Sequence, residues 1–170
     1  MKKLLAAFAV LTFAVVANAT DRTGAMALGY QSSFNGAGTG AAGEWSVKYG
    51  MASNTTLQGL FGLSLQKGGE TVDNATFGGR FLYDLVEAEN SDFYTGLGLT
   101  YNYVGGAQDN LTFQIPLGFE FSLANAPAVA FSAEMGAVFN TTVSSPKNYG
   151  FGTAGGGAGA VFTAGAHYYF

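Results

Sequence analysis

The sequence predicts an all-β fold, an eight-stranded antiparallel up-and-down β-barrel that crosses a membrane. Eight segments alternate apolar and polar side chains with a period of two, the repeat of a strand whose two faces meet different environments. Only 11% of the 170 residues are charged, while glycine and aromatic residues are abundant, unlike a typical soluble domain. After the N-terminal leader, no apolar run is long enough for a membrane helix. Apolar surface divided among short alternating runs is what a membrane barrel requires.

The first 19 residues have the features of a secretory signal peptide. Its parts are the charged start Lys2–Lys3, the apolar run Leu4–Val16 and the small-x-small site Ala17–Ala19. The apolar run is shorter than the roughly 20 residues of a spanning helix. We therefore predict a signal peptide over residues 1–19 and one barrel domain over residues 20–170. The absence of cysteine excludes a disulfide framework.

The eight predicted strands share one pattern, in which large apolar side chains occupy every second position. Small or polar residues, often glycine, lie between them. The strands are Thr23–Ser33, Gly43–Ala52, Thr55–Gln66, Asn74–Val86, Phe93–Val104, Leu111–Ser122, Ala128–Asn140 and Ala160–Phe170. Their apolar faces include, in the same order, Leu28, Trp45, Phe61, Phe81, Leu99, Phe113, Phe131 and Tyr168.

Two predicted strands have features of their own. Leu60 breaks the alternation of the third strand, where an apolar side chain falls on the polar face. In the sixth strand Pro116 cannot donate a ladder hydrogen bond, so we expect a bulge or locally lost pairing there.

The end of the last strand carries a family resemblance. The pattern Thr163-x-Gly165-x-x-Tyr168-x-Phe170 resembles the C-terminal insertion signal of bacterial outer-membrane barrels. In length and in its succession of alternating strands, the whole chain is similar to the small eight-stranded OmpA/OmpX-like barrels of Gram-negative bacteria. The resemblance implies a monomer in the outer membrane, in contact with membrane lipid and lipopolysaccharide. It also implies recognition by the barrel-assembly machinery through the C-terminal strand.

The predicted connections alternate between short and long. An even strand number leaves both chain ends in the periplasm. The shorter connections, at Ser53–Asn54, Glu87–Asp92 and Ala124–Pro127, then face the periplasm, and the longer ones face outward.

The longest predicted outer loop, Thr141–Gly157, is a candidate for surface recognition. It is rich in glycine, so we expect it to be mobile. Lys147, Tyr149 and Phe151 in this loop are candidate contacts for a sugar, a lipid headgroup or a protein. Alternatively, the two rings fold back into an outer aromatic girdle.

Six ionisable side chains fall on the inward face of the predicted barrel. They are Glu44, Lys48, Arg80, Asp84, Glu120 and Glu134. Unpaired, each buried ion would cost several kcal/mol, so we expect Lys48 and Arg80 to pair with some of the carboxylates. An eight-stranded barrel is just wide enough to be filled by side chains, which favours an internal plug. An ion path or gate is the other interpretation.

No catalytic, cofactor or metal constellation is recognisable in the sequence. His167 is the only histidine, and its strand neighbours Gly165 and Tyr169 offer no Ser, Asp or further ligand. The few basic residues form no stripe, which argues against nucleic acid. The sequence predicts a non-enzymatic barrel with a structural or adhesion-type role and an unidentified surface partner. The alternative is a narrow passive pore or transporter for small solutes, since inward glycines would leave space.

Overall fold

The computed structural model describes residues 21–35, 42–64, 74–105, 109–143, 148–153 and 160–170. The predicted signal peptide lies outside these ranges. The strands are β1 (Met26–Asn35), β2 (Ala42–Ala52), β3 (Thr55–Ser64), β4 (Asn74–Ala88), β5 (Ser91–Val104), β6 (Asn110–Leu123), β7 (Ala126–Thr142), β8 (Tyr149–Thr153) and β9 (Ala160–Tyr169). Within the described ranges, no helix has the length and hydropathy needed to cross a membrane.

The strands close into an antiparallel barrel with eight positions in its wall. Consecutive strands pair from β1 to β7, and β9 pairs with both β7 and β1, which closes the ring. Because β6 follows one edge of β7 along its whole length, β8 and β9 share the other edge. β8 lies opposite Ala137–Thr141 and β9 opposite Val129–Glu134. The eighth position is thus formed by two strands in succession, and the predicted eight-stranded antiparallel barrel is confirmed.

The prediction of one continuous loop over Thr141–Gly157 is wrong for Tyr149–Thr153. β7 continues to Thr142, and β8 pairs with it, placing Phe151 opposite Phe139. Large side chains alternate with glycine in β8, and cross-strand aromatic contact stabilises such pairing. This contact outweighs the flexibility that we expected from the glycines.

One end of the barrel carries two-residue turns, which lie at 53–54, 89–90 and 124–125. We call it the turn end and the opposite end the loop end. The turn predicted at Glu87–Asp92 is shorter, because β4 and β5 pair as far as Ala88 and Ser91. The turn predicted at Ala124–Pro127 is also shorter, because β7 already starts at Ala126. Phe170 lies at the turn end too, where its backbone exchanges hydrogen bonds with Met26.

Pro116 interrupts one ladder, as predicted. β6 pairs with β5 at Leu117 and again at Gln114, and the pairing is lost between them. The Thr95 hydroxyl donates to the Pro116 carbonyl oxygen at 2.9 Å, which satisfies an acceptor of the broken ladder.

The distribution of polar and apolar side chains is the reverse of that in a soluble protein. In β6, Phe113, Ile115 and Leu117 are exposed, while the alternating Gln114 and Glu120 are buried. Leu60 faces the lumen, as the break in the third strand's pattern indicates. Buried apolar side chains in the lumen are Leu60, Leu82, Tyr94 and Val138. The barrel therefore has a largely polar interior and an apolar outer surface, the arrangement of barrels that lipid surrounds.

Candidate functional site: the charged lumen

Glu120 is the centre of a charged cluster near the turn end. Its side chain is buried, with 2% of the residue exposed. Glu120 Oε2 pairs with Lys48 Nζ, and Oε1 pairs with Arg22 Nη1. The Tyr169 hydroxyl donates to the same Oε1 at 2.6 Å. The carboxylate thus has partners at both oxygens, as a buried charge requires.

Arg22 enters this cluster from outside the barrel wall, because it precedes β1. Its Nη1 lies 3.3 Å from Asp92 Oδ2, and its Nη2 donates to Ser122 Oγ at 2.9 Å. Its guanidinium carbon lies 4.2 Å from the centre of the Tyr169 ring, within cation–π range. Burial disfavours the guanidinium charge, but Glu120, Tyr169 and Asp92 more than offset this, so the pKa of Arg22 is raised.

A second cluster lies around Arg80 and Glu134 in the middle of the lumen. Arg80 Nη1 donates to Glu134 Oε2 at 2.8 Å, and Nη2 donates to Gln114 Oε1 at 2.6 Å. The Tyr94 hydroxyl donates to Glu134 Oε1 at 2.6 Å. Both charged side chains are buried, so a hydrogen-bonded ion pair crosses the lumen here.

Two inward glycines allow side chains of this second cluster to cross the strand between their partners. Gly118 lies between Tyr94 on β5 and Glu134 on β7, and a Cβ there would meet the Tyr94 ring. Gly98 lies between Arg80 and Gln114, and its Cβ would lie 2.7 Å from Arg80 Cγ. The pore alternative supposed that inward glycines leave open space. At Gly98 and Gly118 they do not, because the long side chains of Arg80 and Tyr94 lie directly over them.

The other two predicted lumen charges have weaker contacts. Glu44 accepts a hydrogen bond from Gln31 Nε2 at 3.3 Å. Asp84 is half-buried, and neither carboxylate forms an ion pair within the described part of the chain. Asp84 lines a cavity of about 20 Å³ together with Lys48 and Asp92, which has room for a single water molecule.

The interpretation of His167 as a histidine without a serine nearby is wrong. His167 Nε2 lies 2.9 Å from Ser46 Oγ, and Nδ1 lies 3.7 Å from Glu120 Oε2. The partner is on β2, two strands away, and Gly29 on the intervening β1 lets the imidazole pass. Ser46 is fully buried and also accepts a hydrogen bond from Gln58. The pair has no room for a substrate, so its geometry is that of a packed polar contact.

Uncharged polar side chains form a network at the loop end of the lumen. A chain of hydrogen bonds of 2.7–3.3 Å crosses four strands there, through Thr76, Asn102, Thr112 and Asn140. Among the residues that the structure describes, no group of three or more His, Cys, Asp or Glu is arranged to hold a metal ion.

The remaining predicted site residues lie on the eighth position of the wall. Thr163 and Gly165 face inward, and Tyr168 and Phe170 face outward. Tyr149 and Phe151 on β8 are 73% and 69% exposed, and the Phe151 ring lies 5.6 Å from that of Phe139. Lys147 lies outside the described residues.

The two charged clusters of the lumen include four residues that we had not predicted as site residues, namely Arg22, Asp92, Tyr94 and Tyr169. Asp92 and Tyr94 share the inward parity of Gly96 and Gly98. Tyr94 already lies within the predicted strand Phe93–Val104, so the period-two pattern could have found it, and a start one residue earlier would have included Asp92. Arg22 precedes the first strand and carries no periodic signal.

Comparisons with known proteins add little. No protein-family model matches the sequence, and no curated protein matches it. A crystal structure of Neisserial surface protein A is similar at 17% identity and a TM-score of 0.47, covering 86% of this chain and 95% of that one. At this identity and TM-score, the similarity indicates nothing about function.

Proposed function

We propose that this chain is a non-enzymatic outer-membrane β-barrel with a structural or surface-interaction role, whose lumen is closed by its own side chains. The observation that carries the proposal is the inside-out distribution of polarity. Two buried ion-pair clusters lie in the interior, while large apolar side chains are exposed around the wall. In water such a surface would aggregate, whereas in lipid it is the favoured one.

The exposed aromatic residues support a transmembrane placement. They concentrate near the two ends of the barrel, where interfacial girdles are expected. The loop-end group includes Tyr30, Trp45, Tyr101, Tyr103 and Phe139, and the turn-end group includes Tyr49, Tyr83, Phe121, Tyr168 and Phe170. In this placement the turn end faces the periplasm, and the outer wall contacts membrane lipid and lipopolysaccharide. The protein is a monomer, and its last strand is the segment that the assembly machinery recognises.

Measurement of conductance distinguishes the proposed closed lumen from the pore alternative. Purified protein reconstituted in planar bilayers is expected to show no stable, large conductance. The reason is that the Arg80–Glu134 and Glu120 clusters lie across the lumen, and the cavity beside Glu120 is about 20 Å³. A stable open channel formed by the wild-type protein would demote the structural role in favour of a passive pore.

Surface recognition is proposed to involve the β7–β8 hairpin. Tyr149 and Phe151 are highly exposed there, and aromatic side chains suit contact with sugars, lipid headgroups or proteins. The double change Tyr149→Ser and Phe151→Ser should abolish any adhesion that the wild type shows in a cell-binding assay. Heat-dependent gel mobility, the control for folding, should be unchanged. Adhesion that survives the double change would remove this hairpin as the recognition site.

A further inference from the structure

The segment Asp21–Ala25 lies beside β2 at the turn end, outside the strands of the wall, and its Arg22 side chain reaches across to β5, β6 and β9. Its backbone is fastened to β2 by two hydrogen bonds, Gly24 N–H to Gly50 O at 2.8 Å and Gly50 N–H to Ala25 O at 3.0 Å. Gly24 has a φ of 78°, a conformation that other residues adopt at a cost. This bend directs Arg22 into the lumen.

The groups that receive Arg22 all belong to the barrel wall. They are Asp92 on β5, Glu120 and Ser122 on β6, and Tyr169 on β9, and we call them the seat. The seat offers carboxylates to the guanidinium edge and an aromatic ring to its face. Both features suit a planar guanidinium better than a compact ammonium or metal ion.

The charge balance of the mouth depends on Arg22. The cavity beside the seat is lined by the carboxylates of Asp84, Asp92 and Glu120, and by the two cations Arg22 and Lys48. Of these cations only Lys48 is anchored in the wall. If Arg22 leaves, one ammonium faces three carboxylates, which favours the entry of another cation.

We propose that the turn-end mouth is a guanidinium-binding site, occupied by the chain's own Arg22, with Asp21–Ala25 as a displaceable stopper over the lumen. The ligand class is the guanidinium group of an arginine side chain. When the stopper withdraws, the seat is free for an arginine of another polypeptide, and the cavity beneath it opens to water. The site does not depend on whether the barrel conducts or binds a surface partner.

Cysteine labelling in folded, detergent-solubilised protein can test this site, because the native chain contains no cysteine. Leu82 lines the cavity and is 3% exposed, so Leu82→Cys reports the opening of the stopper to a small thiol reagent. Adding Arg22→Ala should accelerate labelling by roughly tenfold or more, since the seat loses its cation. Guanidinium chloride at non-denaturing concentration should restore protection, and sodium chloride at equal ionic strength should not.

Two further variants separate the stopper from a general loss of stability. Gly24→Ala leaves Arg22 and the seat intact but strains the bend, and should speed labelling by roughly fivefold or more. Gly79→Ala is the control, because Gly79 faces outward on β4 and a Cβ there meets nothing within 4 Å; it should leave the rate unchanged. Heat-dependent gel mobility verifies folding in each case.

Either of two results would overturn the proposal. One is continued protection of the thiol introduced by Leu82→Cys when either Arg22→Ala or Gly24→Ala is added. The other is faster labelling that sodium and guanidinium ions reverse equally. If Arg22→Ala does not fold, Gly24→Ala decides the question, with guanidinium expected to restore its protection as well.

Discussion

Gly118 shows how single residues determine the packing of the lumen. It allows the Tyr94 ring to lie across β6 and donate to Glu134. Long polar side chains can therefore meet over a strand at a position that has no side chain of its own. Inward glycines such as Gly118 are thus positions over which side chains of neighbouring strands pack.

Replacing Gly118 with alanine tests whether the Tyr94 side chain crosses β6 at this position. The new Cβ would overlap the Tyr94 ring, so Gly118→Ala should lower the free energy of unfolding by about 1–3 kcal/mol, the usual cost of overpacking. Gly79→Ala is the matched control, because Gly79 faces outward and a Cβ there meets nothing within 4 Å. Urea unfolding in lipid vesicles measures both. Equal effects at the two positions would contradict the crossing of β6 by Tyr94.

The sequence allowed the inward charges to be identified but not all of their partners. Parity along each strand places Lys48 and Arg80 inside, and the need to compensate buried charge predicts that they pair. Which carboxylate each one meets depends on register and barrel closure, which alternation does not encode. The contact of His167 with Ser46 joins residues 121 positions apart and depends on Gly29 between them. No local pattern reports such a contact.

Within a single strand, β5 has two outward-facing residues at different depths, one in the middle of the strand and one near its end. Leu97 lies near the middle of Ser91–Val104, and Tyr103 lies near its loop end; both are exposed. If lipid surrounds the wall, arginine at the middle should cost about 2–4 kcal/mol and near the interface about 0–1 kcal/mol.

The depth dependence can be measured by comparing Leu97→Arg and Tyr103→Arg with the corresponding alanine variants. Each pair is unfolded with urea in lipid vesicles, so that the loss of the native side chain cancels. A penalty at Leu97 that exceeds the penalty at Tyr103 is the expected result. Equal penalties, or none, would indicate that water and not lipid meets this face.

The strands differ in how well the sequence predicted them. β6 was predicted closely because its alternation is unbroken, and even the disturbance at Pro116 follows from the missing N–H group. β8 was missed because Gly150 and Gly152 resemble a loop composition. Its pairing with β7 is carried by contacts such as Phe139 with Phe151, which become evident only when the two segments are adjacent.

The fold of the whole molecule was predictable from the sequence. If the apolar faces of eight amphipathic strands meet lipid, the strands have few arrangements that bring their polar faces together inside. A closed barrel satisfies the backbone of every strand and places one face of each strand in the lumen. The closing of the mouth by Arg22 was not predictable, since it uses a segment outside the repeat. Function depends on individual contacts of this kind, and the alternating pattern says little about them.

The fluorescence of Trp45 tests most directly whether the exposed apolar wall faces lipid. Trp45 is the chain's single tryptophan, lies near the loop end and is 50% exposed on the outer surface. In protein folded into vesicles, lipids brominated high on the acyl chain should quench Trp45 strongly, because interfacial rings lie at that depth. Iodide in the aqueous phase should quench it weakly. Strong quenching by iodide together with no effect of brominated lipid would contradict the transmembrane barrel.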